Sequence, residues 1–79
     1  MEFIQNSKDE CILRNNGGTI AYHVAITGDI NRDINVPELQ PNQDIQFELA
    51  WPSKRKSGGL QATWENHLGE TQVLTTNLH

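Results

Sequence analysis

Cys11-Ile12-Leu13-Arg14-Asn15-Asn16-Gly17-Gly18-Thr19-Ile20-Ala21-Tyr22-His23-Val24-Ala25-Ile26-Thr27 is the stretch whose reading decides the fold. Ahead of the Asn-Asn-Gly-Gly, Cys11 and Leu13 share one face of a strand. Behind it, Ile20, Tyr22, Val24 and Ile26 alternate with Thr19, Ala21, His23 and Ala25. A period of two carried by β-branched and aromatic residues is the pattern of a half-buried strand. Asparagine and glycine between the two runs supply the positive φ angles of a tight connection. The stretch therefore predicts two strands, Glu10–Arg14 and 19–27, folded about Asn15 to Gly18.

Working outward, Glu2–Gln5 reads as a short first strand with Phe3 inward, and 6–9 as a polar turn. Gly28-Asp29 ends the long strand, 30–33 is loop, and 34–36 is a short edge strand that Pro37 stops, since proline offers no amide to a ladder. Pro41-Asn42 suits the centre of a turn. Alternation returns over 44–51, with Ile45, Phe47, Leu49 and Trp51 inward and Asp44, Gln46 and Glu48 outward. A polar loop covers 52–59. Leu60, Ala62 and Trp64 then alternate with Gln61, Thr63 and Glu65, 66–69 makes a turn, and 70–78 is a threonine-rich last strand. No segment has helical spacing, and turn signals recur every eight to twelve residues or so. The expected architecture is an all-β antiparallel sandwich of six or seven short strands in two packed sheets, one domain over 1–79.

The composition narrows the function classes. With 79 residues, 35% of them hydrophobic, the core must be thin and rest on a few large side chains. The candidates are Phe3, Ile20, Tyr22, Val24, Ile26, Ile45, Phe47, Leu49, Trp51, Leu60 and Trp64. No apolar run approaches a membrane span, so no membrane insertion is expected. The N-terminus has neither the basic start nor the apolar run of a signal peptide, which favours the cytoplasm. The lone Cys11 rules out an internal disulfide and reads as a small buried hydrophobe, with Asp9 and Glu10 beside it opposing thiolate formation. The net charge is −4, and three of the six lysines and arginines are consecutive, Lys54, Arg55 and Lys56, against ten carboxylates elsewhere. An acidic body argues against nucleic acid as a partner.

Three pieces of the chain resemble bacterial immunoglobulin-like domains of the CARDB type. Arg14 to Ile26 is similar to their strand, asparagine-glycine turn and strand. Leu39-Gln40-Pro41-Asn42-Gln43-Asp44-Ile45-Gln46-Phe47 is similar to their "leucine, any, proline, glycine" segment and the alternating strand after it, with Asn42 where glycine is preferred. Ala62 to Thr71 resembles their final hairpin. The resemblance implies a seven-stranded immunoglobulin-like sandwich acting as an accessory or adhesive module. It transfers no functional residues.

Few residue groupings in the chain approach the chemistry of a site. Asp29-Ile30-Asn31-Arg32-Asp33 has the D-x-N-x-D spacing that opens a calcium loop, but Ile34 and Gln40 stand where the loop needs glycine and the bidentate glutamate. A solvated turn is the expectation, with no metal and no cofactor. His23, His67 and His79 have no ligand spacing, and no nucleophile occupies a recognisable strained turn. Trp51-Pro52-Ser53-Lys54-Arg55-Lys56-Ser57-Gly58-Gly59 stands apart. Three adjacent cations must project from a loop, which makes Lys54, Arg55 and Lys56 the candidate partner-binding residues, with Trp51 expected in the core beneath them. The reading is a non-catalytic protein-interaction or structural module with a protein partner. The alternative is a small stand-alone inhibitor, of phage or mobile-element type, that blocks an enzyme through an acidic surface.

Overall fold

In a computed structural model, residues 1–51, 54, 56 and 58–78 are described, and they form seven strands in two antiparallel sheets. The strands are β1 (Glu2–Gln5), β2 (Glu10–Arg14), β3 (Ala21–Gly28), β4 (Ile34–Leu39), β5 (Asp44–Glu48), β6 (Gly59–Glu65) and β7 (Thr71–Asn77). One sheet has the order β1-β2-β5 and the other β4-β3-β6-β7. Their inner faces share one core, in which Cys11, Leu13 and Phe47 of the smaller sheet meet Val24, Ile26, Leu39, Leu60 and Ala62 of the larger. Leu13, Ile26, Leu39 and Leu49 are fully buried, each contributing about 1.5–3 kcal/mol of transfer free energy. Phe3 and Phe47 meet edge to face across the inner side of β2, centroids 6.3 Å apart. The all-β sandwich expected from the alternation is what the chain adopts.

The connectivity differs from expectation at the deciding stretch. β2 pairs with β1 and β5, while β3 pairs with β4 and β6. The Asn15–Gly18 segment is thus an arch from one sheet to the other, not a hairpin turn. The positive-φ residues among those described are His23, Asn42, Gly28, Gly58 and Gly69, so none belongs to this arch. A side chain shapes it instead. Asn15 is 4% exposed, and its Nδ2 donates to Thr19 O and Leu39 O, each at 2.9 Å, while its Oδ1 accepts from the Gly17 amide at 3.1 Å. Its backbone closes the contact with the β4–β5 connection, N–H to Gln43 O at 3.1 Å and O from the Asn42 amide at 2.7 Å. That second connection is the turn read from sequence: Gln43 N–H bonds Gln40 O at 3.0 Å across Pro41 and Asn42, the latter at φ 65°.

β3 also changes phase midway. His23 takes φ 51°, and the β3–β6 register shifts between Tyr22 and Ala25, one residue more on β3 than on β6. This is a β-bulge, and each side chain before it moves to the opposite face. Ala21, expected outward, is buried, and Tyr22, expected inward, lies on the outer face, opposite Glu38 and Glu65. β4 changes phase with it: Pro37 and Glu38 are both exposed between inward Val36 and Leu39. Pro37 therefore interrupts β4 without ending it. Proline is admissible there because β4 is an edge strand and Pro37, like His23, has no register partner.

At the far end, β5 stops at Glu48 rather than running to residue 51. Leu49 bridges Ile30, and the Ala50 amide turns to Asp29 O at 2.9 Å. Leu49 and Ala50 are both buried, which breaks the period of two and turns Trp51 outward, 70% exposed. The core placement of Trp51 is thereby overturned. Trp64 packs against the core from a half-buried position.

Candidate partner-binding surface

Among the described residues the buried polar side chains are Asn15 and Asp29, and each organises one end of the sandwich. Asp29 follows Gly28, whose φ of 115° directs the chain out of β3. A Cβ on Gly28 would lie 2.5 Å from Gly59 O, so the close approach of β3 and β6 requires glycine here. That approach gives Asp29 N–H its bond to Gly59 O, 3.1 Å. The Asp29 carboxylate then accepts two amides of the cationic loop, Lys56 N–H at 2.9 Å on Oδ1 and Gly58 N–H on Oδ2. Bonds from amides to a buried carboxylate are of the stronger, charge-assisted kind. The expected solvated turn holds for the exposed Asn31, Arg32 and Asp33, but Asp29 itself is 6% exposed and committed to the loop. No three histidine, cysteine, aspartate or glutamate side chains converge as a metal site among the described residues.

Lys54 and Lys56 are exposed, as their loop position predicts, and Arg55 lies outside the described residues, as do Pro52, Ser53, Ser57 and His79. The Lys54 amide donates to Trp51 O at 2.8 Å, which ties Lys54 to the backbone of the tryptophan. Trp51, unlike the core residue expected, walls a groove of ≈ 460 Å³ with Asp9, Glu10, Asn31, Glu48 and Leu49. A second hollow of ≈ 330 Å³, lined by Asn31, Arg32, Ile34, Phe47 and Glu48, continues it between the edges of the two sheets.

The acidic wall follows from register. Glu10 and Glu48 stand directly opposite each other in the β2–β5 pair, where like charges repel. Glu10 accepts a bond from Gln46 Nε2 at 3.0 Å. At the other end of the same pair Arg14 and Asp44 also stand opposite, and there the guanidinium holds both carboxylate oxygens at 2.8 and 3.0 Å. That bond holds the Asp44 carboxyl below its ordinary range. Sequence reasoning found the cations but missed the indole and the acidic wall. Alternation turns Glu48 outward, yet nothing local says that β2 and β5 are neighbours and that Glu10 stands opposite it.

Cys11 is enclosed in the core. Burial pushes its thiol above the ordinary value, and Sγ lies 3.7 Å from Ile12 O. Among the described residues no helix is long and apolar enough to cross a membrane. Comparison of the chain with family models, with curated proteins and with solved structures gives no match.

Proposed function

We propose that this chain is a non-catalytic protein-interaction module of immunoglobulin-like type, engaging a protein partner at the sandwich end that carries Trp51. The observation that carries the reading is a tryptophan 70% exposed between a cation-bearing loop and a groove lined by Asp9, Glu10 and Glu48. An exposed indole flanked by both signs of charge is the composition of an interface anchor with a polar rim. The immunoglobulin-like part rests on strand order. Constant-type domains pair the first, second, fifth and fourth strands against the third, sixth and seventh. This chain differs only in β4, which lies beside β3 instead of β5. The non-catalytic part is supported by the burial of the one cysteine, whose raised pKa makes it a poor nucleophile.

The opposed pair Glu10 and Glu48 favours a second reading, an inhibitor that presents this wall to a basic enzyme surface. Both readings predict a protein partner, and they differ in which side of Trp51 carries the affinity. Affinity capture with wild type, Trp51→Ala, the triple change of Lys54, Arg55 and Lys56 to serine, and Glu10→Gln/Glu48→Gln separates them. Trp51→Ala is expected to melt within a few degrees of wild type and to lose the captured partner. Loss with the serine variant supports the cationic loop, and loss with the glutamine variant supports the inhibitor. A Trp51→Ala protein that captures its partner as wild type does overturns the proposal.

A further inference from the structure

Among the described residues the sandwich has four edge strands, and three of them carry a device against pairing with another chain. β4 contains Pro37 and Glu38 beside the bulge at His23, β5 has Asp44 and Glu48 at its ends, and β1 is four residues long. Prolines, charges, bulges and shortness are the usual means of blunting an edge. β7 has none of them. Thr71-Gln72-Val73-Leu74-Thr75-Thr76-Asn77 is uncharged and free of proline, and it pairs with β6 in unbroken register over seven residues. Its other side carries no strand among the described residues. Val73 is 59% exposed on the outer face, and Leu74 is half-buried against the core from the inner one.

From this we infer that β7 is a pairing edge for a second copy of the chain, joining antiparallel across a two-fold axis at Leu74 to make one continuous sheet from the two larger sheets. Backbone polarity sets the register. The Leu78 amide donates to Gly58 O at 2.6 Å, so even-numbered residues turn their backbone groups toward β6. The alternation of an antiparallel ladder then turns those of Thr71, Val73, Thr75 and Asn77 to solvent. An axis at Leu74 sets Val73 opposite Thr75 of the second copy and Thr71 opposite Asn77. All four outward-turned residues are paired, which yields on the order of eight backbone hydrogen bonds. On the inner face Leu74 meets its own symmetry mate and Gln72 meets Thr76. No charge opposes a like charge, whereas β5 meeting itself in the same way would set Asp44 against Glu48. In a chain of net charge −4, β7 is the long edge that can meet its own copy without that repulsion. A half-buried rim of Phe3 and Leu78 lies beside this edge, around a hollow of ≈ 210 Å³ between β1 and the end of β7.

Sedimentation equilibrium on the full chain from about 10 μM to about 1 mM tests the inference, a range suited to a small interface. Wild type is expected to rise from the monomer mass toward twice that mass. Val73→Lys/Thr75→Lys sets like charges opposite each other at both positions and is expected to stay monomeric. Val73→Lys/Thr75→Glu sets opposite charges at the same two positions and is expected to dimerise again, more weakly at high salt. Both side chains are exposed, so thermal melts close to wild type should accompany each result. A wild type that stays monomeric at 1 mM overturns the inference and leaves this edge to a strand of another protein. A dimer that survives the lysine pair places the contact elsewhere, and failure of the lysine–glutamate pair to restore it rejects the register.

Discussion

Asn15 shows how much of this fold rests on single side chains. Its amide is the common partner of two carbonyls, Thr19 O and Leu39 O, and of the Gly17 amide, and it sits 4% exposed where the two crossing connections touch. Asn15→Ala leaves the carbonyls without their donor inside the protein, at about 1–3 kcal/mol for each group that water cannot reach. A loss of about 2–4 kcal/mol is expected in urea unfolding, and a loss under 1 kcal/mol would show that water replaces the side chain. Asp44 makes a prediction with a sign. Its carboxyl is held below the ordinary range by Arg14, so its contribution is present at neutral pH and fades as acidification protonates it. The gap in Tm between wild type and Asp44→Asn should therefore be open at pH 7 and close as pH falls below about 4. Both groups are exposed, so the gap should also shrink in high salt.

Among elements, the strands were legible in the sequence and their partners were not. Alternation marks β2, β3, β5 and β6 because each buries one face, and a period of two is a local property. Pairing is not local: the same Asn-Asn-Gly-Gly serves a hairpin or an arch, and here a contact from Asn15 to Leu39, 24 residues away, goes with the arch. The facing of Tyr22 was misread because a bulge leaves no mark in the period until its partner strand is known. Asn66 illustrates the opposite case, a turn whose chemistry is entirely local. Its Oδ1 accepts the amides of Leu68 and Glu70, at 2.9 and 3.0 Å, and Gly69 takes φ 79°. At the β3–β6 contact, Gly28→Ala would drive a methyl into Gly59 O. Because a backbone carbonyl cannot swing aside, β3 and β6 must separate locally, and a drop in Tm of about 10 °C or more is expected. A melt unchanged from wild type would mean that the two strands part there at little cost.

At the scale of the whole molecule, the core is small enough for one residue to weigh heavily. Trp64 packs half-buried against it, so Trp64→Ala should cost about 2–3 kcal/mol, below the 3–5 typical of a fully enclosed aromatic. For a domain of this size that corresponds to roughly 10–20 °C in Tm. A shift of only a degree or two would place the indole on solvent. The candidate surface was half legible at this scale: Lys54 and Lys56 project from a loop as their charge demands, whereas Trp51 joins them because two consecutive buried residues, Leu49 and Ala50, reverse its side. The loop they share is fastened through main-chain amides to Asp29, a residue of the scaffold. Nothing in that fastening reads the side chains at 54 and 56. Substitution at either position therefore leaves the hinge between loop and scaffold intact, and the frame beneath is indifferent to what the loop displays.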